Sequence, residues 1–135
     1  MAAYVVGIPS VTETIKLKRP GREEEQFTAD IRVRDLDDQE ALRKKQEKEF
    51  KAWRAEEEKA RKEGREPDEK KKPKDYGHVR EDVLSLGGFV DSEGKDLTMT
   101  KAMIDKQMKD PFVLMALVRT WNRVQQGLPE LTAKN

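Results

Sequence analysis

The 135-residue chain has no cysteine and a single histidine. Without thiols there is no disulfide, no thiolate nucleophile and no cysteine-based structural zinc site, and such a composition suits a reducing compartment. Apolar residues are scarce, at 35% with a mean hydropathy of -0.96, against about 45–50% in ordinary globular domains. Either the core is small or part of the chain lies outside it. No window approaches the roughly 18 apolar residues of a membrane span. The start, MAAYVVGIPS, lacks the basic region of a signal peptide and its apolar run stops at Pro9, so a cytosolic location is expected. An excess of one charge is also missing. There are 28 Lys and Arg against 27 Asp and Glu, a net charge of +1, and a nucleic-acid binder carries a clear basic excess.

The familiar constellations of catalysis are missing too. His78 has no second histidine or cysteine to join it, and reads as an exposed or capping residue. Asp91, Glu93 and Asp96 surround Gly94, but a calcium loop needs its glycine at the sixth place and a glutamate at the twelfth. A plain turn is expected there. Gly87-Gly88 lacks the Lys-Ser/Thr of a phosphate loop. Lys70–Lys72 and Lys74 are flanked by Asp68, Glu69 and Asp75, with no aromatic interleaved, which reads as a solvated stretch and not a nucleic-acid patch. Nothing places two carboxylates in an apolar setting that would shift a pKa. No catalytic residue, cofactor or metal is expected, and the chain reads as a non-enzymatic protein that binds or scaffolds.

What is present falls into an α+β, predominantly helical arrangement within a single domain spanning 1–135. Residues 1–35 form a β-hairpin region. Ile15 and Leu17 alternate with Lys16 and Lys18, and Phe27, Ala29, Ile31 and Val33 alternate with polar residues, the period of a half-buried strand. Pro20-Gly21 marks the turn between them. A lone hairpin is marginal in water, and YVVGI at 4–8 offers a third strand or an arm for another chain. Residues 36–63 contain no helix breaker and predict a long charged helix of roughly 42 Å. Asp37 and Glu40 suit a capping box at its start. Its one narrow apolar stripe is Leu42, Phe50 and Trp53. Residues 64–75, with Pro67, Pro73 and Gly64, predict a flexible linker.

Residues 76–127 predict a compact bundle of three short helices, with 128–135 as a tail. Val79, Val83, Leu84 and Leu86 suit a helix ending at Gly87-Gly88. Thr98 or Thr100 caps a second helix carrying Met103, Ile104 and Met108. Asp110 and Pro111 open a third, which Gly127 closes, followed by Leu128 and Pro129. In this last helix Leu114, Leu117, Val118 and Trp121 make one stripe, while Phe112, Val113, Met115 and Ala116 widen it nearly all round. Two readings stand: a central helix wrapped by a small core, or a helix that also meets another chain. The candidate partner-binding residues are Met103, Ile104, Phe112, Leu114, Met115, Val118 and Trp121.

Three stretches carry a resemblance. Leu86-Gly87-Gly88-Phe89-Val90-Asp91 with Glu93-Gly94 is similar to a G-W-x-G-V-x-D-x-D-G motif, with Gly88 in place of the Trp. Leu97-Thr98-Met99-Thr100 followed by Ile104 resembles an L-x-F-S…L helix entry. Asp110-Pro111-Phe112-Val113 with Ala116-Leu117 resembles D-P-x-V-x-x-A-L. Together they cover about residues 83–127 and resemble the tail assembly chaperones of long-tailed, siphovirus-type bacteriophages. The resemblance implies a self-associating protein of the bacterial host cytoplasm. It binds the tape-measure protein, keeps that long helical chain soluble until tail-tube subunits polymerise around it, and is absent from the finished virion. The alternatives are a helical adaptor or regulator using 36–63 as an arm, or a nucleic-acid-associated protein using the basic middle, where 14 basic residues face 9 acidic ones between Arg43 and Lys74.

The resemblance also implies a longer product, made when ribosomes slip back one base near the end of the gene. Ala133-Lys134-Asn135 is compatible with the message A-AAA-AAC, on which both tRNAs can re-pair. The expected finding is an AAA codon at 134 and an open -1 frame beyond 135. An AAG codon there removes the slip site.

Overall fold

The structure is a computed structural model that describes residues 10–127. The stretch at 4–8 and the tail at 128–135, with Leu128, Pro129 and the slip-site residues, lie outside the described residues. The described residues form two compact units, residues 10–33 with 76–127, and residues 34–75.

The first unit is built on a three-stranded antiparallel sheet of strands β1 (Ser10–Leu17), β2 (Glu25–Arg32) and β3 (Val83–Gly87), in that order. Arg19-Pro20-Gly21-Arg22 closes the β1–β2 hairpin. Gly21 takes φ 73° and the Arg22 amide donates to the Arg19 carbonyl at 3.2 Å, as a type II turn with Pro and Gly at its centre requires. Ile15 stands opposite Phe27 and Val11 opposite Ile31. Ile15, Leu17, Phe27, Ala29 and Ile31 are all buried. On the other face Asp30 accepts from the hydroxyls of Ser85 and Thr12, which hold its carboxyl below its ordinary value against a smaller opposing effect of burial.

The third strand corrects the sequence reading. The helix expected over 79–86 is a short helix α2 (Gly77–Asp82) that runs directly into β3. A bulge lets the sheet accept it: Asp30 pairs with Ser85 but Ile31 pairs with Val83, so Leu84 is the extra residue. Val83 and Leu86 both reach the core while Leu84 is 52% exposed. Three of four residues over Val83–Leu86 are apolar and break strict alternation, so helix and strand could not be told apart by pattern alone. Gly87 and Gly88 end the strand against Phe27 and Thr28. A Cβ on Gly87 would meet the Thr28 hydroxyl at 2.8 Å, and Gly88 sits at φ 79°. Phe89 then returns onto Phe27, with ring centroids 5.2 Å apart.

Helices α3 (Lys101–Gln107) and α4 (Pro111–Gln125) complete this unit. Thr100 caps α3, accepting from the Met103 amide, and Asp110 caps α4, accepting from the Phe112 amide at 2.9 Å. Helix α4 packs along β1. An ion pair joins them at each end: Arg19 to Asp110 at 2.6 Å, and Glu13 to Arg123. The spacings match. From 110 to 123 a helix rises about 20 Å, and from 13 to 19 a strand extends about 20 Å.

The second unit centres on α1 (Leu36–Glu63). Asp35, not Asp37, is the N-cap, and its side chain accepts from the Asp38 amide at 2.8 Å. Asp37 and Asp38 occupy the first turn, where negative charge favours the helix, and Glu40 instead pairs with Arg43. Gly64 closes the helix at φ 68°, with the Arg65 amide reaching the Ala60 carbonyl at 3.0 Å, a Schellman stop. The expected linker is not a structureless connection. It carries a 3-10 turn at Glu69–Lys71 capped by Asp68, and it returns donors to Glu56. Arg65 Nη1 and the Asp68 amide each reach that carboxylate at 2.8 Å, and Lys71 Nζ lies at 3.5 Å. Glu56 is 5% exposed. Its composition gave this stretch nothing apolar to bury, so charged hydrogen bonds do the ordering instead.

Arg65 first, then the Asp68 amide, pull the Glu56 carboxyl from about 4.5 down to about 2, against the opposing effect of burial. A folded pKa lowered in this way stabilises fully above the unfolded value and is lost as pH falls through the folded one. Amide protection over residues 65–72 should therefore hold at pH 6 and fall away between about 4.5 and about 2. At neutral pH, Glu56→Gln should raise the rate of tryptic cleavage at Lys70 and Lys71 severalfold. Equal rates in the two proteins would show that Glu56 does not hold the segment.

Candidate functional site

Seven apolar residues in a row, Phe112–Val118, must point in every direction around a helix. The buried line of α4 is Val113, Ala116, Leu117, Thr120 and Val124. The stripe expected from the sequence, Leu114, Leu117, Val118 and Trp121, is rotated from it by about one residue. Only Leu117 is fully buried, while Leu114, Val118 and Trp121 are half-buried at the edge of the core. So continuous an apolar run does not define a phase. The contact with β1 defines it, and Thr120 is admitted because its hydroxyl donates to the Ala116 carbonyl at 2.8 Å.

The remaining candidates divide the same way. Ile104 is 3% exposed and belongs to the core, so it offers nothing to another chain, and Met103 is half-buried on α3. Trp121 is committed on its polar side. Its indole N–H donates to Asp82 at 2.8 Å, and Asp82 is fully buried with Arg32 at 3.8 Å. His78, expected to be exposed or capping, is half-buried with its ring edge-on to Trp121 at 4.6 Å. Two candidates face water. Phe112 is 42% exposed and Met115 is 39% exposed.

Phe112 and Met115 share one side of α4 with Arg119, at positions i, i+3 and i+7. Together with Pro111, and with Lys16, Leu17 and Lys18 from the end of β1, they line a groove of about 350 Å³. The Arg19 guanidinium stands 5.5 Å from the centre of the Phe112 ring while paired with Asp110 and Glu25. That hydrogen bond holds the Asp110 carboxyl below its usual range and raises the Arg19 value. Lys16, Lys18 and Arg119 are exposed and have no ion pair with another described residue. Sequence reasoning passed over these three. Lys16 and Lys18 look like the solvent face of a strand, and only the fold brings them beside Arg119.

Elsewhere the surface offers less. The region around Phe50 is lined by α1 residues alone, with Arg54 stacked on the ring at 4.6 Å. The 89–97 loop is a turn. Asp91 accepts from the amides of Glu93 and Lys95, and Gly94 takes φ 81°. Among the described residues no group of three or more metal-ligating side chains converges, and no helix is long and apolar enough to cross a membrane. No protein-family model matches the chain, nor does any curated protein or solved structure.

The two faces of α4 should respond differently to truncation. Leu117→Ala, in the core, should cost about 2–5 kcal/mol of unfolding free energy. Phe112→Ser and Met115→Ser should each cost less than about 1 kcal/mol. Urea unfolding followed by circular dichroism measures both. A large loss at Met115 would place it in the core and remove it from the surface described above.

Proposed function

We propose that the chain is a tail assembly chaperone of long-tailed bacteriophages, acting in the host cytoplasm on the tape-measure protein and absent from the finished virion. The observation that carries the reading is the outward face of α4. Its core side is complete with Val113, Ala116, Leu117, Thr120 and Val124, yet Phe112 and Met115 remain in water beside a groove. Exposed apolar side chains rimmed by polar ones mark sites that meet other chains. Apolar faces of a long helical client, each in need of cover until the tail tube encloses them, are suited to such a surface by the helix-in-groove mode. The resemblance over residues 83–127 points the same way. The highly charged α1 unit keeps the complex in solution, and self-association uses the same C-terminal helices. A frameshift-extended form adds a part that recruits tail-tube subunits.

Co-expression tests the proposal. The tape-measure protein encoded beside this gene should be insoluble alone and should stay soluble, and copurify, when this chain is made with it. A tape-measure protein that precipitates equally with and without the chain would overturn the reading. Sedimentation at rising concentration should show species larger than monomer, and a chain that stays monomeric at every concentration would remove the self-association part of the reading.

A further inference from the structure

The groove between α4 and the end of β1 has a definite chemistry. Its lining combines the apolar Leu17, Phe112 and Met115 with the cationic Lys16, Lys18 and Arg119. No carboxylate lines it. Beside it Arg19 is held by Asp110 and Glu25. Counted with Arg19 and its two carboxylates, the groove and its edge carry a net charge of +2, which disfavours a basic ligand and favours an acidic one. The like charges also raise the cost of leaving the groove empty at low ionic strength. Phe112 and Met115 lie about 5 Å apart along the α4 axis, one turn of helix, and Phe112 to Arg119 spans about 10 Å, two turns. Apolar anchors spaced one turn apart match a helix, whereas same-face residues of a strand repeat at about 7 Å.

We propose that this groove takes an amphipathic helical segment whose apolar side chains, one turn apart, are flanked by carboxylates. The apolar anchors cover Phe112 and Met115, and the carboxylates meet Lys16, Lys18 and Arg119. The charges choose the segment and set its direction along α4, while the apolar contact supplies most of the affinity. The inference rests on the chaperone reading only for the identity of the chain that carries such segments, which would be the acidic-flanked apolar stretches of the tape-measure protein.

The direct test uses two synthetic peptides of about 18 residues, long enough to hold a helix. Both carry Phe and Leu one turn apart in an Ala/Gln background. One has Glu flanking the apolar pair and its twin has Lys. Binding to the full chain is read by isothermal titration, and contact residues by amide chemical-shift changes. The Glu peptide should bind about tenfold tighter than its twin, since three ion pairs of ordinary surface strength sum to that ratio. The preference should shrink as salt rises. Shifts should centre on 16–18 and 111–119. Replacing Lys16, Lys18 and Arg119 by Gln should erase the preference, with circular dichroism unchanged because all three are exposed. Equal binding of the two peptides, no binding of either, or shifts centred elsewhere would overturn the proposal. So would sedimentation showing that the Gln variant, without peptide, loses self-association, because the groove would then hold a second copy. The chaperone reading fails separately. If the Gln variant solubilises the tape-measure protein as well as the wild type, the groove inference falls and the chaperone stands. If the wild type does not solubilise it while the Glu peptide binds as described, the reverse holds.

Discussion

A helix and a strand of matched length, tied at both ends, organise the first unit. Asp110 at the start of α4 pairs with Arg19 beyond the end of β1, and Arg123 near the end of α4 pairs with Glu13 near the start of β1. With two fixed ends, α4 can neither slide along β1 nor turn freely about its own axis. Ion pairs as buried as these set attraction against the cost of desolvation and add little net stability, and the apolar contact between them is what holds. The pairs decide which of many apolar contacts forms. On a helix whose first half is apolar on nearly every side, that decision sends Val113, Ala116 and Leu117 inward and leaves Phe112 and Met115 outward.

The same economy appears in the rest of the molecule. With 35% apolar residues, the chain fills one small core and relies on polar groups to place what surrounds it. Asp82, fully buried, is tolerated because Trp121 donates to it and Arg32 lies near, and it fixes the junction where α2 becomes β3. Gln125 ties the end of α4 to the Arg32 carbonyl at 2.7 Å. In the second unit Glu56 gathers Arg65, the Asp68 amide and Lys71, so a stretch with almost no apolar side chains still has a definite path. A buried carboxylate left without its donors is costly, which is why each of these positions carries several.

The arrangement bears on binding through geometry. A patch of two apolar residues is small, and small patches are common on monomers. What distinguishes this one is its cationic lining. Lys16 and Lys18 come from the end of β1 and Arg119 from the third turn of α4, residues a hundred positions apart that the end-tied packing brings around one groove. Any role for the groove therefore depends on the integrity of the whole first unit, and a substitution at Glu13 or Arg123 would alter it without touching it.

By itself the sequence determined the elements whose signals are local. The hairpin, its Pro20-Gly21 turn, the long α1 and the Asp110-Pro111 start of α4 follow from side-chain alternation, backbone restriction and capping, which act over a few residues. It also determined that chemistry needing thiols or paired histidines has no means here. Tertiary structure alone decided matters that depend on distant partners. Val83–Gly87 became a strand because the free edge of β2 offers hydrogen bonds that its ambiguous pattern could accept, and the bulge at Leu84 corrected the facing. Residues 64–72 take a definite path because Glu56, about two turns before the end of α1, gathers their donors. The phase of α4, and with it the separation of core from groove, was settled by β1 and by charges at 13, 19, 110 and 123, since seven consecutive apolar residues carry no phase of their own.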